Sequence, residues 1–165
     1  MTTTGIPQSE ARALRADLRD FYEDYAACLD EEDLDRWTTF FTDDGIYRVT
    51  SRENHDARLP LCVIECVGMP MIRDRVAAIE TTTVYEPRSL RHMVSCTRIN
   101  RVGADMIESQ ANFAVFECLS DREPHVFMSG RYLDRVRRED AGFRFKERVC
   151  VYDNYRIRTS LVLPV

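Results

Sequence analysis

Residues 143–155 read FRFKERVCVYDNY, and the alternation in that run decides the fold. Phe143, Phe145, Val149 and Val151 fall on one side of an extended chain, with Arg144, Lys146 and Arg148 on the other. That is the period of two expected of a strand with one buried face. Working backward, three more long strand-like runs precede it: His125–Arg138, Met106–Cys118 and Arg91–Val102. Polar punctuation separates them at hairpin spacing: Gly103-Ala104-Asp105, Ser120 to Pro124, and Glu139 to Gly142. Four consecutive strands joined by tight turns predict an antiparallel meander.

Ahead of Pro87 the period lengthens. Ser9 is a suitable N-cap, and Leu14, Leu18, Phe21, Tyr22, Tyr25 and Leu29 recur at helical spacing through residues 9–29. A shorter helix over Leu34–Phe41 carries Trp37 and stops before the turn signal Asp43-Asp44-Gly45. Gly45 is expected to open a strand at Ile46–Ser51, followed by a polar loop (Arg52 to Arg58) and a strand-like run, Leu61–Cys66. Gly68 and Pro70 then start a third helix in which Ile72, Val76 and Ile79 share a face. Helices first and strands last predict an α+β domain, a curved antiparallel sheet closing as a cone around the N-terminal helix. One domain over residues 1–165 is expected, with residues 1–8 a flexible tail.

Composition narrows the chemistry. The chain has 165 residues, is 44% hydrophobic and carries a net charge of −5, enough apolar content for a packed core. Residues 1–50 hold 5 basic and 12 acidic side chains, the excess lying at Asp30 to Asp35 and at Asp43-Asp44. A solvated helix junction accounts for such a run, and the acidic total argues against a nucleic-acid binder. No leader-like segment and no membrane-length apolar run occurs, so a soluble, cytoplasmic chain with reduced thiols is expected. Of the 23 basic residues only Lys146 is lysine; arginine is the cation favoured at bidentate interface pairs.

Six cysteines and three histidines are enough to ask for a metal, but none lies at ligand spacing. Cys62 and Cys66 have no second pair, and His55, His92 and His125 sit in separate segments. The cysteines are expected to be buried thiols. An acid–base pocket inside the cone is the other possibility. Glu147 shares the apolar side with Phe143 and Phe145, His92 could shuttle a proton, and Tyr22, Tyr25 and Tyr47 could donate hydrogen bonds, as in a small isomerase or dehydratase. Equally, Glu147 could pair with an arginine or tyrosine and His92 with the backbone.

One series of residues goes further. It comprises Trp37-x-x-Phe40-Phe41, Asp44-Gly45-x-Tyr47-Arg48-Val49, Arg52-Glu53-Asn54-His55 and Leu59-Pro60-Leu61-Cys62. It continues through Met71 to Val76, Tyr85-Glu86-Pro87, Arg91-His92, Gly130-x-Tyr132-x-Asp134 and Glu147-Arg148-x-Cys150-Val151-Tyr152-Asp153. In order and spacing this series resembles the small (β) subunits of aromatic-ring-hydroxylating oxygenases, nearest those of salicylate 5-hydroxylase and terephthalate dioxygenase. The resemblance implies a roll of the nuclear transport factor 2 and ketosteroid isomerase type. It also implies a non-catalytic chain without metal, which supports a large (α) subunit holding a Rieske [2Fe–2S] cluster and a mononuclear Fe(II). A reductase would supply electrons from NADH, and three large and three small subunits would assemble as α3β3, with small subunits touching one another. No catalytic residue carries over. The arginine-rich strands, with Arg131, Tyr132, Arg148, Tyr152 and Tyr155, are the expected interface. A stand-alone isomerase or dehydratase using Glu147 and His92 is the alternative.

Overall fold

The computed structural model describes residues 7–140 and 142–165. The expected tail, residues 1–8, lies outside the described residues except for Pro7 and Gln8, and Gln8 is already helical. Helix α1 runs Gln8–Asp30 with Pro7, not Ser9, at the N-cap; the Pro7 carbonyl accepts from the Ala11 N–H at 2.9 Å. Proline suits that place, because its φ is preset and it has no N–H to satisfy. Asp33 caps α2 (Leu34–Thr39), its carboxylate accepting from the Arg36 N–H at 3.0 Å.

Strand β1 spans Phe41–Ser51 and so begins before the expected turn. Asp43-Asp44-Gly45 lies inside it as an irregularity, where the pairing with the last strand jumps from Phe41 to Ile46. Gly45 is required there: a Cβ would stand 2.8 Å from the Thr42 carbonyl oxygen. The expected polar loop forms a short helix, α3 (Arg52–Asp56), because the Ser51 side chain accepts from the Asn54 N–H. Strand β2 (Ile64–Val67) and helix α4 (Met69–Thr81) follow, α4 burying Ile72, Val76 and Ile79 as expected. The meander comprises β3 (Arg88–Val102), β4 (Met106–Leu119), β5 (His125–Glu139) and β6 (Gly142–Tyr152).

The six strands lie in the order β2-β1-β6-β5-β4-β3. Four of the five strand pairings are antiparallel as expected, but β1 and β6 pair in parallel, which makes the sheet mixed. The reason is connectivity: residues 52–141, more than half the chain, separate β1 from β6, so no hairpin dictates their direction. The sheet does not close; β2 and β3 remain as its edges. Register shifts in β3, between β4 and β5, and between β5 and β6 bend it instead. Helix α1 packs along β3, and α4 packs against β1 and β2. Between helices and sheet lies a core dominated by aromatic rings, among them Trp37, Phe41, Tyr22, Tyr25, Tyr47, Tyr132 and Phe145.

Candidate functional site

One bulge determines what faces that core. Val136 pairs with Phe145 and Arg135 with Glu147, so Lys146 is an extra residue on β6. An inserted residue reverses the alternation beyond it. Phe145 therefore points inward, and after Lys146 the inward set is Arg148, Cys150 and Tyr152. Glu147, expected beside Phe143 and Phe145, turns outward instead and pairs with Arg48 at 2.6 Å and Arg135 at 3.9 Å. Arg148, expected on the solvent face, is wholly buried.

The Arg148 guanidinium lies 3.6 Å from the centre of the Tyr132 ring and 3.9 Å from that of Tyr25, with Phe145 at 4.3 Å and Tyr22 at 5.2 Å. Stacking on ring faces is favourable for a desolvated cation. None of its three nitrogens, however, has a hydrogen-bond partner among the described residues. Directly across the ladder stands Asp134, also buried. Its Oδ2 accepts from the Tyr22 hydroxyl at 2.5 Å, the Ser109 hydroxyl lies 3.1 Å from the same tyrosine oxygen, and Oδ1 has no partner. Burial pushes the Asp134 carboxyl from near 3.8 up to about 6, against the pull of the Arg148 charge. Burial also raises Tyr22, Tyr25, Tyr47 and Tyr132, so all four stay neutral phenols.

A second hydrogen-bonded chain runs beside this pair. The Trp37 indole N–H donates to the Tyr25 hydroxyl at 3.0 Å, and Tyr25 donates to the backbone oxygen of Val165 at 3.2 Å. Tyr47 and the Cys150 thiol also donate to that oxygen, each at 3.3 Å, and Tyr47 accepts from the Val165 N–H at 2.9 Å. Burial lifts the Cys150 thiol to about 12, which keeps it protonated. Val162, Leu163 and Val165 fill the space these groups surround.

The residues of the acid–base alternative are not brought together. His92 sits inside on β3, and both its Nδ1 (2.7 Å) and its backbone N–H (2.9 Å) meet Asp30 Oδ1 at the end of α1. Glu147 is on the outer side of β6, with β5 and β4 between. Tyr47 is inside, wholly buried. Of the five expected interface residues, Arg131 is half-buried and reaches Asp56 at 3.5 Å, and Tyr155 is fully exposed. Tyr152 is nearly buried, whereas Tyr132 and Arg148 lie wholly inside and cannot meet another chain.

The thiols are also less uniform than expected. Cys28, Cys66 and Cys150 are buried, Cys62 and Cys118 partly so, and Cys96 is exposed at a left-handed residue (φ 55°) in the β3 bulge. Among the described residues no three His, Cys, Asp or Glu side chains converge as a metal would need. His92 is committed to Asp30, so the donor set fits neither a Rieske cluster nor a mononuclear iron. No helix among the described residues is long and apolar enough to cross a membrane. Nothing in the sequence pattern marks Ser109 as a site residue, and Asp134 is marked only as the last residue of the series Gly130-x-Tyr132-x-Asp134.

Comparison with known proteins places this arrangement. Residues 10–149 match the SnoaL-like domain family. The small subunit of anthranilate 1,2-dioxygenase from Burkholderia cepacia is 34% identical over 141 residues, which cover 86% of this chain and 88% of that one. The β 2 subunit of the terminal oxygenase component of terephthalate 1,2-dioxygenase from a Comamonas species is 32% identical over 86% and 92% of the two chains. The crystal structure of the β subunit of a candidate aromatic-ring-hydroxylating dioxygenase from Novosphingobium aromaticivorans superposes with a TM-score of 0.86. It is 34% identical and covers 94% of this chain and 99% of that one. On this likeness over almost its full length, the chain belongs to the SnoaL-like family and, within it, to the small subunits of aromatic-ring-hydroxylating dioxygenases.

Proposed function

We propose that this chain, acting as one domain, is the structural β subunit of a cytoplasmic oxygenase that hydroxylates an aromatic acid in aromatic catabolism. The observation that carries the reading is the 34% identity to a dioxygenase small subunit across 86% of the chain. Its partner is a large (α) subunit that holds a Rieske [2Fe–2S] cluster and a mononuclear Fe(II) and receives electrons from NADH through a reductase. The assembly is α3β3, with small subunits also in mutual contact. The interior supports a supporting role: Tyr22 bonds to Asp134, Tyr25, Tyr47 and Cys150 bond to Val165, and aromatic rings enclose Arg148, as in a packed scaffold.

The surface supports it too. Leu61, Val63, Val67 and Met71 are exposed together around the short edge strand β2 and the start of α4, and Met93, Phe116 and Val126 are exposed on β3, β4 and β5. Apolar side chains gathered this way mark faces that another chain covers. Tyr155, fully exposed, and Arg131, half-buried, add the aromatic and arginine character that interfaces favour. The test is affinity purification of the tagged chain from its native host. A co-purifying chain that carries iron and a Rieske spectrum, in a complex with aromatic-acid hydroxylase activity, is the expected result. A lone chain that turns over a substrate by itself would refute the proposal.

A further inference from the structure

The segment after β6 enters the core without belonging to the sheet. The last backbone-to-backbone hydrogen bond along the described chain is Asp153 N–H to the Ser129 carbonyl; beyond it side chains hold the backbone. The Arg88 guanidinium donates to the Ser160 carbonyl at 3.2 Å and is paired at 2.6 Å with Glu117, and Thr159 lies 3.2 Å from both Glu117 carboxylate oxygens. Both members of that ion pair are almost fully buried, at 4% and 0% exposed. Arg75 on α4 donates to the Val162 and Leu161 carbonyls at 2.5 and 3.4 Å. At the far end three donors, Tyr25, Tyr47 and Cys150, converge on one oxygen of Val165.

Three neutral donors aimed at one oxygen make a site for a carbonyl or carboxylate, as polarised hydroxyls do wherever charge must be held in a dry interior. Trp37 polarises one of them further by donating to the Tyr25 oxygen. Arg148 projects from the same face of β6 as Cys150, with Tyr25 against its guanidinium, so a buried cation none of whose nitrogens has a hydrogen-bond partner among the described residues stands beside the donors. The space next to them is apolar, being filled by Val162, Leu163 and Val165. We propose that residues 161–165 are an intramolecular ligand, seated in a binding site whose external ligand is a small carboxylic acid with a flat or branched apolar body. The carboxylate would take the place of the Val165 oxygen at Tyr25, Tyr47 and Cys150, and the body would take the place of the aliphatic side chains. Because the segment makes no ladder hydrogen bonds, it can leave while the sheet stays intact. This site is independent of the assembly role and would exist in an isolated chain.

Benzoate is the probe and benzyl alcohol, of like shape without the charge, the control. In the full chain, excess benzoate is expected to speed hydrogen exchange of amides 161–165 about tenfold, with β4 and β5 still protected. A chain ending at Ser160 is expected to bind benzoate saturably, and benzyl alcohol at least about tenfold more weakly. A peptide of residues 161–165 added to that chain should displace the benzoate. The proposal is overturned if the shortened chain keeps its near-ultraviolet spectrum and binds no benzoate, or binds both probes alike. Should the shortened chain fail to fold, exchange in the full chain decides: unchanged tail amides at saturating benzoate overturn the proposal.

Discussion

Asp134 carries a charge that its surroundings do little to support. The Tyr22 hydroxyl is its one strong donor, Oδ1 has none, and Arg148 stacks on rings rather than bonding the carboxylate. Its carboxyl therefore titrates near 6 in the fold against about 3.8 when free. With the folded value raised, the native state holds the proton more tightly between those two pH values. The stability this group contributes is thus full below about pH 4 and lost as the pH rises through about 6. Asp134→Asn keeps an acceptor for Tyr22 and never ionises. Denaturant titrations should find the variant about equal to the wild type at pH 4 and more stable at pH 7, by about 2–3 kcal/mol. A variant weaker than wild type at pH 7 would contradict this account. Asp134→Ala, which leaves Tyr22 only Ser109 as a partner beside a cavity, should cost about 2–4 kcal/mol at pH 4 and, since alanine does not ionise either, about 2–3 kcal/mol less at pH 7, measured the same way.

At the scale of the element, β6 shows what alternation can and cannot reveal. That residues 143–152 form a strand is plain from their pattern, and so are β3, β4, β5 and the three longer helices. Which way Glu147 and Arg148 face is not, because one bulged residue, Lys146, reverses every side chain beyond it, and nothing in an isolated strand marks a bulge. The short helix α3 is hidden in the sequence for a related reason: its cap, Ser51 accepting from the Asn54 N–H, is a single local bond in an otherwise polar run. The bulge makes a sharp test. Deleting Lys146 would make the pairs Val136–Phe145 and Arg135–Glu147 consecutive, keeping Glu147 outside and Arg148 inside, so the shortened chain is expected to fold with a wild-type circular dichroism spectrum; an unfolded chain would contradict this account of the bulge. Gly130 offers another. A Cβ there would stand 2.1 Å from the Val151 carbonyl oxygen, so Gly130→Ala must push β5 off β6. The expected cost is about 3 kcal/mol or more, seen as a lower melting temperature; an unchanged melt would show that the ladder can yield.

For the whole molecule the sign of the surface matters more than its charge. The acidic excess of residues 1–50 lies mostly on exposed positions of α1, α2 and the start of β1, consistent with a solvated junction. The apolar cluster at Leu61, Val63, Val67 and Met71 has no such partner in water. Val63→Asp should leave the melting temperature of the isolated chain within about 1–2 °C and yet reduce recovery of the large subunit in co-purification. Full recovery would move the contact elsewhere. The overall class, α+β with helices ahead of a meander, was readable from element order alone. The parallel neighbour of β6 was not, since a strand's periodicity states its burial but never its partner.

That parallel pairing also sets a timetable. β1 is made early and must wait for β6 before its second edge is filled, with α3, β2, α4, β3, β4 and β5 synthesised in between. Pairings so distant along the chain close slowly. At ribosomal speeds of about 5–20 residues per second, several seconds separate the appearance of the two strands. Until residues 142–152 emerge, the nascent chain holds an open strand edge at β1, with Trp37, Phe41 and Tyr47 short of their β6 neighbours. A large subunit can therefore meet a finished docking face only after translation of this chain is nearly complete, and a chaperone that shields β1 during that interval would raise the yield of the complex.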